Sequence, residues 1–373
     1  MKPGTWGLGV HAFATDSLAV LRKAATCANH RLAGMCTSLR IRATDGTPII
    51  GRTMEFPVLL DATLSVIPRG IQLTSATLAG APGATWTTMH GVVGVNAFPA
   101  MAVEGPIGLT DGLNDQGMYG GLLYMPGFCD YADATGVPAD QQLIATHVIA
   151  YVLSTCATVS EAREALGRIH VVNWSGSPVS LDVHFRFDDA AGDGIVVEWQ
   201  SGAMTINDNP IGVLTNAPYF DWHLTNLRNY VNLNPVNPAG VTLNGIDLAP
   251  LGAGEGMRGI PGDATPPGRF VRAAAYVATV DSSADGAAAE MSMMHLLNNF
   301  DLIPGFAKAS ANTQEEDQTL WSTIANLAEV TYSLRTHTDV CFRKITLADV
   351  DFSGTQVQTH PLPGASTFPA LTL

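Results

Sequence analysis

The stretch "CTSLRIRATDGTPIIGRTMEF", residues 36–56, constrains the fold more than any other part of the chain. "CTSLRIRA" alternates, Asp45-Gly46 supplies a turn, and "PIIGRTMEF" runs back, so the segment reads as a β-hairpin. The pattern continues in "GVVGVNAF" and "MYGGLLYMP", the second entered through the turn "LNDQG". Over residues 138–168 the period changes. "PADQQLIATHVIAYVLSTC" places apolar side chains at helical spacing, and "TVSEAREALGR" follows with a Thr158-x-x-Glu161 capping box, so two consecutive helices are expected.

Strands return in "VSLDVHFRFDD", "IVVEW" and "GVLTNAP". Residues 232–268, rich in Gly, Pro and Asn, read as one long ordered loop. Two further helices are expected in "PGRFVRAAAYVATV" and "GAAAEMSMMHLLNNF", and two strands in "VTYSLRTHTDVCFRKITLAD"; the last 20 or so residues read as an irregular tail. Hairpins without regular βαβ alternation indicate an α+β fold with antiparallel sheets, and no linker divides the pattern, so residues 36–373 are expected to form one domain.

Residues 1–35 stand apart. They carry Lys2, Arg22, Lys23 and Arg31 against Asp16 alone, whereas the whole chain, with 33 acids and 19 Lys and Arg, has a net charge of −14. The segment has no clean apolar core for a secretory signal. It is expected to be a leader or propeptide, a weak targeting segment, or an upstream extension of a protein that begins at Met35. The acidic balance repels phosphate backbones and anionic lipid surfaces, which argues against nucleic-acid and membrane partners. Five cysteines without a CxxC pair read as free thiols, and ten histidines lack metal-ligand spacing, so neither metal nor cofactor is expected. Free thiols and the poor leader favour the cytoplasm, with periplasm or secretion left open.

Several motifs compete for the chemistry. Gly254, Gly256 and Gly259 form a GxGxxG string that no strand precedes, so they read as loop glycines. The sequon Asn173-Trp174-Ser175 is discounted, and a Cys36–His223 dyad stays open. Asp263 reads as a helix cap or loop anchor. Cys36 alone lies at the junction between leader and first strand. If the residues before it are removed, its own α-amino group, with a pKa of about 7.7 to 8.0, lies within reach of its thiol and can take the thiol's proton. The alternative is an inert buried strand thiol.

Four ordered stretches, "MCTSLRIRATDGTPIIGRTMEF", "DGLNDQGMYGGLLYMPG", "GVLTNAPYFDWHLTNLRNY" and "GIPGDATPPGRFVRAA", resemble the choloylglycine hydrolase and penicillin V acylase family of N-terminal-nucleophile hydrolases. The resemblance covers about residues 35–350. It implies a four-layer αββα sandwich, no cofactor, a small-molecule N-acyl amide substrate and a homotetramer, with residues 232–262 reaching toward a neighbouring subunit. It also implies roles: Cys36 as nucleophile, Arg52 beside its sulfur, Asn216 and the backbone N–H of Tyr124 in the oxyanion hole, and Arg269 as a second active-site arginine. Glu55 stands where the family usually has an aspartate that holds the α-amino group. Phe56, Met54, Tyr124 and Met125 line an acyl pocket or belong to the core. Tyr124 matches the penicillin V acylases, where bile salt hydrolases have asparagine, so penicillin V-like amides are the expected substrates; conjugated bile salts and acyl-homoserine lactones are the alternatives. A non-catalytic acyl-binding homologue with Cys36 blocked is the alternative of another class.

Overall fold

The computed structural model describes residues 34–97, 107–173, 181–281, 283–308 and 316–364, so most of the segment expected to be a leader or extension, residues 1–33, and Trp174-Ser175 of the sequon lie outside the described residues. Two large antiparallel sheets form its centre. In the first, the strands run in the order Val213–Leu214, Met35–Arg42, Pro48–Phe56, Glu316–Asn326, Thr331–Thr336 and Arg343–Thr346, and Ala307–Lys308 pairs with the outer part of Glu316–Asn326. The eight-stranded second sheet runs Ala203–Asp208, Gly194–Gln200, Val183–Asp188, Tyr119–Tyr124, Leu109–Asn114, Val92–Asn96, Thr63–Ile67 and Gln358–Pro361.

Helices Pro266–Thr279 and Gly286–Leu297 cover the outer face of the first sheet, and helices Val148–Thr155 and Val159–Leu166 cover that of the second. The inner faces meet, burying Val93, Leu113, Tyr119, Leu123 and Val196 of the second sheet together with Met54 of the first in one apolar cluster. The result is the four-layer αββα sandwich. Close approach of the outer helix depends on Gly51, where a Cβ would meet the Met293 sulfur at 2.3 Å. The opening hairpin turns at Gly46, whose φ of +94° suits glycine. Helix Val159–Leu166 carries the expected capping box, with the Thr158 hydroxyl accepting from Glu161 N–H and the Glu161 carboxylate reaching back.

The structure departs from the sequence reading in four places. The helix expected from residue 138 starts at Val148; before it, Gln142–Ile144 is extended and pairs in parallel with His170–Val172. The Gln142 side chain holds that segment, accepting from Leu78 N–H and donating to the Val137 carbonyl. The expected loop contains a hairpin, Val241–Leu243 with Ile246–Leu248, turned at Asn244-Gly245, both with positive φ. Gln358–Pro361, in the expected tail, pairs with Thr63–Ile67. The eleven-residue strand Glu316–Asn326 is not legible in the sequence, because polar residues lie on both of its faces, Asp317 and Thr319 beside Glu55 and Thr323 beside Arg52, and a bulge between Thr319 and Trp321 breaks the alternation.

Candidate active site

Cys36 sits near the start of the first-sheet strand Met35–Arg42, which pairs along its whole length with Pro48–Phe56. Cys36 lies opposite Met54, and Ser38 opposite Arg52, so these four side chains share the face turned toward the second sheet. The Cys36 thiol is buried. Its sulfur lies 3.5 Å from Arg52 Nη2 and 3.4 Å from Met54 Sδ, and it accepts the backbone N–H of Tyr124. Burial pushes the thiol above its ordinary range and the Glu55 charge adds to this, while Arg52 and the Tyr124 N–H work the other way.

Arg52 is fully buried and held through both terminal nitrogens. It donates to the carbonyls of Thr110 (2.5 Å) and Leu122 (2.8 Å) and forms an ion pair with Asp111 at 3.2 Å. Asp111 in turn accepts from Thr323 Oγ1 at 2.6 Å and the Tyr332 hydroxyl at 2.9 Å. Burial pulls the guanidinium down, but Asp111, Cys36 and Tyr119 together more than offset it, so Arg52 stays charged.

The backbone of Cys36 is held from the other side. Its N–H donates to Asn216 Oδ1 at 2.9 Å, and its carbonyl accepts from Arg269 Nη1 at 2.5 Å. Arg269 also donates to Thr37 Oγ1 (2.8 Å) and to Asn216 Oδ1 (2.6 Å). Two donors converging on one Asn216 atom fix it as the oxygen, so Nδ2 is the atom donating to the Tyr124 carbonyl at 2.6 Å. One Nδ2 hydrogen remains for another acceptor. The strand Val213–Leu214 and the turn after it position Asn216. Arg269 sits in the first turn of helix Pro266–Thr279, which starts on Thr265, whose hydroxyl accepts from Gly268 N–H. Asp263 accepts from Thr265 N–H at 2.9 Å and is a loop anchor.

Glu55 lies on the opposite face from the sulfur, across from Met35 on one side and Thr319 on the other. Thr319 Oγ1 donates to Glu55 Oε1 at 2.9 Å, and Oε2 is buried without a partner among the described residues. Burial lifts this carboxyl to about 7, against the pull of Arg269.

All six residues singled out from the sequence, Cys36, Arg52, Glu55, Tyr124, Asn216 and Arg269, thus gather around residue 36. His223 does not join them as a base. Its Nε2 is bonded to the Asn216 carbonyl at 2.9 Å, its ring stacks on Phe270 at 4.4 Å, and burial lowers it to about 4. Met54 and Met125 are buried, whereas Phe56 and Tyr124 are half-buried. Sequence reasoning missed Asp111, Thr319 and Asp317, acids and a hydroxyl on strands that hold other polar residues, so none of the three stands out. Asp317 lines a cleft of about 500 Å³ together with Met35, Asn216, Ala217, Thr265 and Phe306.

The sequence model of the linear amide C–N hydrolases, choloylglycine hydrolase family, matches residues 36–360. The chain belongs to this family. It is 28% identical over 337 residues to a bile salt hydrolase/transferase of Clostridium perfringens, covering 87% of this chain and 96% of that one. It is 31% identical over 242 residues to a conjugated bile acid hydrolase of Lactobacillus gasseri, covering 64% and 73%. Among solved structures, a mutant conjugated bile acid hydrolase from Clostridium perfringens superposes with a TM-score of 0.78 at 26% identity, over 90% of this chain and all of that one. The penicillin V acylase of Agrobacterium tumefaciens gives 0.71 at 22% identity over 88% and 92%, a likeness of fold. As a member of this family of amidohydrolases, the chain is an enzyme acting on linear amides.

Proposed function

We propose that Cys36, once it is the first residue of a mature unit spanning residues 36–373, hydrolyses N-acyl amides of bulky apolar acids. The supporting observation is the clamp on residue 36: a cation and an N–H at its sulfur, and Asn216 and Arg269 on its backbone. The α-amine takes the thiol proton and the thiolate attacks the amide carbon. The oxyanion takes the Tyr124 N–H and the spare Asn216 hydrogen, donors of a kind worth about 2.7–4 kcal/mol. The C–N bond then breaks as the leaving amine collects the proton, and water releases the acid from the thioester. An upshifted, buried thiol needs such a base. In the uncut chain the Cys36 nitrogen is an amide and cannot serve.

Conjugated bile salts rank first among substrates, because the bile salt names of the relatives come with matches along most of the chain. This reverses the order suggested by Tyr124. Phenoxymethylpenicillin remains as a second reading carried by that half-buried tyrosine at the sulfur. Side-by-side hydrolysis of glycocholate, phenoxymethylpenicillin and a long-chain acyl-homoserine lactone tests the ranking, and penicillin turnover without glycocholate turnover overturns it. Absence of hydrolysis, with residues 1–35 retained and acyl ligands bound, favours the acyl-binding alternative. The hairpin at 241–248 exposes Val241, Leu243, Ile246 and Leu248 to solvent, which supports association of this chain into a homotetramer.

A further inference from the structure

Among the described residues, the outer face of the first sheet is one positive charge short. Buried Arg269 faces two carboxyls, Glu55 and Asp317, and is drawn to both. The neighbouring ions have their own partners. Arg52 pairs with Asp111, Arg335 with Asp301 and Lys308 with Glu316, while Asp263 is satisfied by Thr265 and faces Arg272. One cation therefore serves two acids. The shortage shows in the geometry: Glu55 Oε2 and Asp317 Oδ1 are both buried with no hydrogen-bond partner among the described residues, and such atoms are costly. Burial lifts both carboxyls to about 7, with only Arg269 among the cations opposing it.

Position identifies the missing group. Met35, Glu55 and Thr319 lie in one row across three strands, and Asp317 points to the same side as Thr319 one step further out. Asp317 also lines the cleft that holds Met35 and Asn216, and Asn216 is bonded to the Cys36 nitrogen. Glu55 thus lies directly across from Met35, and Asp317 shares a cleft with Met35 and with the Asn216 that holds the Cys36 nitrogen.

We infer that Asp317 is a positioning residue which, with Glu55, receives the α-ammonium group that Cys36 gains when water adds across the Met35–Cys36 peptide bond. The carboxylate formed on residue 35 leaves with the preceding segment, and the ammonium stays as the second cation beside two acids. Asp317 thereby sets the proton affinity of the catalytic base. The charged groups facing it are Arg269, Glu55, Asp263 and the Lys308–Glu316 pair. The inference rests on the N-terminal reading of Cys36.

The test uses protein begun at Cys36, verified by N-terminal sequencing and labelled with ¹⁵N-cysteine, so that the α-amine nitrogen is titrated directly by NMR without any substrate. Asp317→Asn is expected to lower the midpoint by about one pH unit, the scale of a nearby charge, and Asp317→Glu to restore most of it. An unmoved midpoint in folded Asp317→Asn overturns the inference. Should that variant not fold, ¹³C-aspartate labelling of the wild type decides. The aspartate carboxyl titrating near 7 in a chain begun at Gly34 must titrate at lower pH in the chain begun at Cys36, and an unchanged midpoint refutes the role. Active enzyme without a free amine on Cys36 refutes the N-terminal reading itself, whatever Asp317 does.

Discussion

Arg52 has two separable duties, and a double-mutant cycle with Asp111 divides them. Replacing Arg52 by Met strands Asp111 as an uncompensated buried charge, which costs about 3–5 kcal/mol. It also frees the Thr110 and Leu122 carbonyls, each an added cost of about 1–3 kcal/mol where no water reaches them. Asp111→Asn alone leaves the guanidinium bonded to those carbonyls but without its counter-charge. In Arg52→Met/Asp111→Asn the stranded charge is gone, so the double variant should be more stable than the sum of the singles by about 2 kcal/mol. Reactivity follows a different pattern. Arg52 opposes the upshift of the Cys36 thiol, so Arg52→Met should slow alkylation of Cys36 at pH 7, whereas Asp111→Asn, leaving Arg52 with the sulfur as its nearest anion, should speed it. Urea unfolding and iodoacetamide kinetics on the four proteins provide both readouts. Additivity within about 0.5 kcal/mol, or equal alkylation rates across the set, would refute the reasoning.

Asn216→Ala removes the spare oxyanion donor, so kcat should fall about 100- to 1000-fold with a smaller change in KM; steady-state kinetics on whichever amide the side-by-side hydrolysis selects decide, and a fall below tenfold contradicts the assignment. Glu55 releases its proton near 4.5 when unfolded and near 7 when folded, so the folded state binds the proton more tightly between these values. Stability of a chain retaining the residues before Cys36 should therefore drop by about 3 kcal/mol as pH rises from 4.5 to 7 and stay low above it, and Glu55→Gln should flatten that slope in urea titrations. Leu243→Ser with Ile246→Ser should lower the assembly state seen by light scattering without altering the circular dichroism of the fold; an unchanged mass counts against the hairpin as the contact.

The legible parts of the fold are those with local punctuation. The opening hairpin and the paired strands Val183–Asp188 and Gly194–Gln200 are buried on both faces, yet each pair is joined by a glycine turn that marks it in the sequence, and the helix after Thr158 is marked by its capping box. Glu316–Asn326 carries polar residues on both faces, so its identity is hidden in "EDQTLWSTIAN", and Asp317 and Thr319 with it. The site itself was readable only in part. Cys36 draws attention by its place in the chain, but Asn216 is 180 residues away and Arg269 is 233, and only the ordered family stretches joined them. Asp111 carried no signal in "LTDGLN", because a lone acid among strand residues looks the same whether it faces water or a buried arginine.

Strand geometry also explains why the nucleophile lies here. On the outer side of Met35–Arg42, the strand Val213–Leu214 pairs only with Leu39 and Ser38 and then ends. The chain turns through Thr215, and Asn216 takes over the place that a continuing strand would have filled. The Cys36 N–H therefore meets a side chain in place of a ladder carbonyl, and a side-chain acceptor can hold an amide before cleavage and an amine after it without disturbing the sheet. Period-two alternation then assigns the work. Cys36, Arg52 and Met54 face the second sheet, where the sulfur meets its cation, while Met35, Thr37 and Glu55 face the helix that carries Arg269. A one-residue slip of this strand would exchange the two faces and bring the carboxyl to the sulfur, which would raise the thiol's pKa further. The eight-residue pairing with Pro48–Phe56, fixed by the Asp45-Gly46 turn, is what prevents that slip.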